Sequence, residues 1–173
     1  MSLKKVEIES SNELGSLPVY VSDLNKKVGV IVIQEWWGVN EQIKSIAFKW
    51  FGNDYVTLVP DLYRGKVASD RETAGHYFKD LNWNGAIQDI QAAVNYLHAN
   101  GVEKIGVTGF CMGGALSIAS AVLVDGIHAA VPYYGVPNKS LADPGKSKIP
   151  LQLHFGLRDD AKGFSGKNIL RLK

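Results

Sequence analysis

Residues 28–34 read VGVIVIQ, with no polar side chain before the final glutamine. A strand without polar side chains on either face needs cover on both, the condition met inside a parallel sheet. Neighbouring segments agree. EQIKSIAFKWFGN (41–53) sets Ile43, Ile46, Ala47 and Trp50 at helical spacing, and YVTLVPDL (55–62) reads as the next strand. GAIQDIQAAVNYLHANG (85–101) is amphipathic, with Ile87, Ile90, Val94 and Leu97 on one face and Gly101 as a stop. EKIGVTGF (103–110), MGGALSIASAVL (112–123) and IHAAVPYYG (127–135) continue as strand, helix and strand. A Pro/Gly/Ser-rich loop (136–148) leads to a last strand, IPLQLHFG (149–156).

Two segments break the pattern. KVEIES (5–10) and LPVYVSD (17–23) alternate apolar and polar residues, which predicts an antiparallel hairpin at a sheet edge. Residues 63–83 are polar, with one helix expected over Glu72–Leu81. The expected fold is α/β: a three-layer sandwich whose mostly parallel sheet carries helices on both faces and an N-terminal antiparallel hairpin. With 173 residues and no repeat or linker, a single domain (1–173) is expected.

Composition narrows the function classes. Net charge is +2 with no basic stripe, so no nucleic-acid partner is expected. No apolar run approaches the roughly 18 residues of a membrane span. The opening MSLKKVEIESSNELG lacks the apolar stretch of a secretory signal. One cysteine allows no internal disulfide, which points to a reducing, cytoplasmic setting. Four histidines without ligand spacing predict no metal, and no cofactor is expected.

That cysteine, Cys111, lies in VTGFCMGGAL (107–116). In a G-x-S-x-G elbow a strand turns sharply into a helix with the nucleophile at the tip, and crowding there demands glycine. Gly109, Cys111 and Gly113 match with Cys in place of Ser, between an expected strand and an expected helix. The helix N-terminus beside the sulfur would favour thiolate, and the Met112 N–H would serve an oxyanion. Two other readings stand beside this one. Cys111 is a buried small residue whose glycines only permit close packing, or the turn cradles a pyrophosphate. The second lacks both G-x-G-x-x-G spacing and a P-loop lysine.

Four motifs in order, QEWWGVN (34–40), PDLYRG (60–65), GFCMGG (109–114) and HFGLRDD (154–160), resemble those of the dienelactone hydrolases, or carboxymethylenebutenolidases. These are α/β-hydrolases with a cysteine nucleophile. The resemblance runs from about Val19 to about Asp160 and implies hydrolysis of a small-molecule ester or lactone. It implies Cys111 as nucleophile, Glu35 as the glutamate that helps form the thiolate, Asp159 as the triad aspartate, and the Trp36 N–H as second oxyanion donor. Family recognition of a substrate carboxylate uses arginines, for which Arg64 and Arg71 are candidates. Trp36, Trp37, Tyr63 and Trp83 are candidates for an aromatic pocket wall.

The triad histidine of this fold follows the acid in chain order. Only AKGFSGKNILRLK follows Asp160, and His76, His98, His128 and His154 all precede Asp159. The expectation is therefore an incomplete domain lacking the family's last strand and helix, with impaired turnover. Segment 149–156 would be an edge, with Leu151, Leu153 and Phe155 short of partners and open to self-association. The alternative is an inactive truncated form that binds or regulates a full-length relative.

Overall fold

The computed structural model describes residues 3–159. Its sheet has six strands: β1 (Lys4–Ile8), β2 (Leu17–Val21), β3 (Val28–Ile33), β4 (Val56–Pro60), β5 (Lys104–Phe110) and β6 (Ala129–Tyr133). Their spatial order is β1-β2-β4-β3-β5-β6. β1 pairs antiparallel with β2, and β2 antiparallel with β4, whereas β3 is parallel to both β4 and β5, and β5 to β6. The apolar run 28–34 thus supplies an interior strand, and the alternating segments supply the antiparallel edge pair.

Four helices connect the strands: α1 (Glu41–Phe51), α2 (Arg71–Asp80), α3 (Trp83–Ala99) and α4 (Met112–Leu123). The period-two alternation of β3 explains the three layers. Ile31 and Ile33 enter the larger core with Ile90, Val94 and Leu97 of α3 and Leu116 of α4. Val32 turns to the other face and packs with Ile43 and Ala47 of α1. Trp50, expected on that apolar face, is instead 53% exposed at the end of α1 and meets Phe51 and Phe110 edge-on. Three helices begin with polar caps. Asn40 accepts from the Ile43 N–H, Asp70 from Thr73 and Asn82 from Gly85. Among the described residues no helix is long and apolar enough to cross a membrane.

Segment 149–156 differs from expectation. It lies parallel to β6, with Gln152 donating to the Ala130 carbonyl and His154 to the Pro132 carbonyl, yet it forms only isolated bridges at Leu151 and His154. The cause is legible. Ala130 and Tyr134 both donate N–H groups to this segment, so the position between them, Pro132, faces it too and has no N–H to give. Leu151 still packs on the larger core.

The crossover from β4 through α2 and α3 returns past β3 to β5. The winding therefore reverses around β3, which opens a crevice at the carboxyl ends of β3 and β5. A buried ion pair anchors the loop that enters this crossover. Arg64 clasps Asp89 of α3 with both terminal nitrogens, at 2.8 and 2.9 Å. Ser10 and Asn12 also donate to the same carboxylate. The Asp89 side chain is 1% exposed and that of Arg64 16%. Removing one partner leaves a charge in low dielectric, so Arg64→Met is expected to cost about 3 kcal/mol, read as a lower urea midpoint at unchanged slope.

Candidate active site

β5 ends at Phe110 and α4 begins at Met112, with Cys111 between them at φ 56°, ψ −115°. A non-glycine residue at positive φ is strained, and the packing here imposes it. The Cys111 N–H donates to the Tyr133 carbonyl at the end of β6, and its carbonyl accepts from Ala115 one helical turn on. Gly113 explains how the helix comes so near. A Cβ there would stand 2.5 Å from the Ile33 carbonyl oxygen at the end of β3, and one on Gly109 would stand 2.5 Å from the Gly113 backbone. Unlike the other three helices, α4 has no side-chain cap, so its first N–H groups are left for another acceptor.

A cavity of about 590 Å³ opens beside the sulfur. It is lined by Cys111, Met112 and Ala115 of the elbow and α4, by Phe78, Trp83 and Asn84 of α2 and α3, and by the loop after β6. Of the four aromatic residues expected at a pocket, Trp83 alone lines this cavity. Tyr63 is buried, with its hydroxyl 3.3 Å from the Met112 sulfur, and Trp36 and Trp37 pack edge-on against each other at 5.2 Å.

Glu35 and Asp159 both act electrostatically on the Cys111 thiol, so the three side chains expected to carry chemistry share one field. Glu35 follows β3 and is half-buried; its Oε1 accepts a 2.8 Å hydrogen bond from the Tyr134 hydroxyl. Asp159 is half-buried in a turn closed by its N–H on the Gly156 carbonyl. Trp36 is half-buried in the loop between β3 and α1.

The electrostatics reverse one expectation. Burial is the largest influence on the Cys111 thiol and pushes its pKa up. A hydrogen bond from the Met112 N–H opposes this, and the negative charges of Glu35 and Asp159 reinforce it. The net direction is upward, away from the thiolate that the helix terminus alone would favour. The Tyr134 phenol is also pushed well above its ordinary range, first by burial and then by its bond to Glu35.

The sequence-derived arginines do not reach the cavity. Arg64 is committed to Asp89, and Arg71 is exposed in the first turn of α2. Among the described residues no cluster of three His, Cys, Asp or Glu side chains could hold a metal ion. Tyr134 is the residue that sequence reading missed. It sits at φ 28° just after β6, before Gly135, whose φ is 152°. A Cβ on Gly135 would fall on the Cys111 carbonyl oxygen. The signal was a Tyr-Gly pair at the carboxyl end of the strand beside the elbow.

Residues 18–170 match the model of the dienelactone hydrolase family. The chain belongs to that family. The protein named Usf of Aquifex pyrophilus is 36% identical over 142 residues, covering 76% of this chain and 62% of the relative. A carboxymethylenebutenolidase of Pseudomonas putida is 30% identical over 146 residues, covering 75% of this chain and 60% of the relative. The chain thus spans about three fifths of the length of these curated relatives. A crystal structure of a putative dienelactone hydrolase from Klebsiella pneumoniae superposes with a TM-score of 0.79 at 21% identity, covering 99% of this chain and 79% of that one. That likeness establishes the α/β-hydrolase fold.

Two outcomes follow within this family frame. Alkylation of Cys111 followed against pH should be half-maximal above the roughly 8.5 of an ordinary thiol, and Glu35→Gln should move it to lower pH by removing a negative charge. Gly113→Ala should destabilise the fold by about 2 kcal/mol or more, seen as a lower melting temperature, because its new methyl meets backbone rather than a mobile side chain.

Proposed function

We propose that this domain hydrolyses carboxylic esters or lactones through Cys111. The observation that carries this reading is the strained, uncapped elbow, which aims a half-buried thiol at a cavity with two carboxylates acting on it. The named activity of the carboxymethylenebutenolidase relatives points the same way.

In this reading the resting thiol keeps its proton until a substrate carbonyl occupies the cavity. Glu35 then accepts that proton and Tyr134 steadies the carboxylate. The sulfur attacks the acyl carbon, an S–C bond forms, and the carbonyl oxygen takes the developing charge. The Met112 and Trp36 N–H groups hold that oxyanion. The C–O bond of the ester breaks, the alkoxide takes the proton from Glu35, and an acylated Cys111 remains. Water must then cleave the thioester, a step in which the family resemblance assigns Asp159 to orient an imidazole.

None of the four histidines lines the cavity. His76 is exposed on α2, His98 bonds the Val102 carbonyl, His128 accepts from the Ile105 N–H, and His154 stacks on Tyr133. Acylation should therefore outrun deacylation in the 173-residue chain.

Mixing with p-nitrophenyl acetate should release at most one equivalent of nitrophenol per chain, then give very slow turnover, with an acetyl group on Cys111 by mass spectrometry. Cys111→Ala should abolish the burst. Acetylation elsewhere, or a burst that survives Cys111→Ala, would refute the nucleophile assignment; sustained turnover that depends on Cys111 would refute the expected impairment. Glu35→Gln should slow acylation about 100-fold, the usual worth of a general base, while making the thiol more reactive toward a simple alkylating agent at neutral pH. These opposite directions separate proton acceptance from a mere field effect.

A further inference from the structure

The cavity beside Cys111 has no charged residue in its wall among the described residues. Its apolar lining includes the rings of Phe78 and Trp83, edge-to-face at 5.7 Å, with Val136 and Leu141. Its polar groups beyond Cys111 are neutral: the amides of Asn84 and Asn138 and the hydroxyl of Ser140. A volume of about 590 Å³ suits a ring-sized group.

Among the described residues, the cations of the surrounding segments are committed elsewhere or lie outside the wall. Arg64 is locked bidentately on Asp89, and Lys66 sits over the Tyr77 ring. Lys139 is exposed between two lining residues without lining the cavity itself. At the reacting end, Glu35 is a carboxylate that acts electrostatically on the sulfur. A carboxylate entering here loses hydration without a cationic partner among the described lining residues. An uncharged aryl or branched alkyl group gains apolar contact without that cost.

We propose that the site selects uncharged esters or lactones with an apolar or aromatic group, and discriminates against those that carry a carboxylate. This rests on the hydrolase reading for the reaction, while the preference itself resides in the cavity. It makes Phe78, Trp83 and Leu141 determinants of affinity, and the neutral amide of Asn84 a determinant of charge selection.

The test uses covalent probes that need no ester chemistry. N-phenyl chloroacetamide and its 4-carboxyphenyl analogue present the same reactive carbon to Cys111. The sulfur displaces chloride, an S–C bond forms as the C–Cl bond breaks, and the thiol proton passes to buffer. Each labelling rate on the full chain is divided by that probe's rate with glutathione. The neutral probe is expected to label Cys111 at least about tenfold faster on this scale, the equivalent of about 1.4 kcal/mol. Asn84→Arg, an exposed position in the first turn of α3, should then raise the relative rate of the carboxylated probe several-fold. Equal or faster labelling by the carboxylated probe in the unaltered chain overturns the proposal. The failures are separable. Selective labelling without an acetyl burst refutes the hydrolase reading and leaves the cavity preference standing. A burst without selective labelling does the reverse.

Discussion

Everything at the site depends on how closely the first turn of α4 approaches the ends of β3 and β6. Gly113 lies against the Ile33 carbonyl and Gly135 against the Cys111 carbonyl, at separations that a single Cβ would occupy. With helix and strands this near, the chain has one residue in which to turn from β5 into α4, and that residue takes the strained φ of 56°. The strain is sustained by the sheet and both cores around it. It places the thiol beside a cavity, next to the uncapped first turn of α4.

The same geometry sets the electrostatic state of the thiol. The helix terminus offers a hydrogen bond from Met112, but desolvation weighs more, and Glu35 and Asp159 add two negative charges. A half-buried thiol whose pKa is raised is less open to adventitious oxidation and alkylation than a free thiolate. The tie between Glu35 and Tyr134 joins the loop after β3 to the end of β6, so the carboxylate is held by an element that also bonds the backbone of Cys111. The described residues that line the cavity beside it are all uncharged.

Much of the fold was legible in the sequence. The unbroken apolar run of β3, the alternation of β1 and β2 and the amphipathic face of α3 each specify a local environment, and the structure supplies it. Misreadings arose where a distant partner decides. Arg64 was a candidate for binding a substrate carboxylate; its bidentate pair with Asp89 forms across 25 positions of sequence. Trp50 had the right helical spacing for the core but stands at the end of α1, where its ring meets Phe51 and Phe110 with half its surface in water. In segment 149–156 the alternation pointed to a strand, and the interruption came from Pro132 in the neighbouring strand.

By itself the sequence determined the layered α/β architecture, the strand–turn–helix around Cys111 and the order of its motifs, since apolar periodicity and glycine spacing are local properties of a chain. Only the tertiary structure decided that Tyr134 holds Glu35, that burial raises the pKa of the thiol and that Arg64 is paired with Asp89. Each of these depends on burial and on distances between segments far apart in sequence. A pKa, an ion pair and the charge of a cavity wall are properties of the assembled neighbourhood, and no window of residues along the chain contains them.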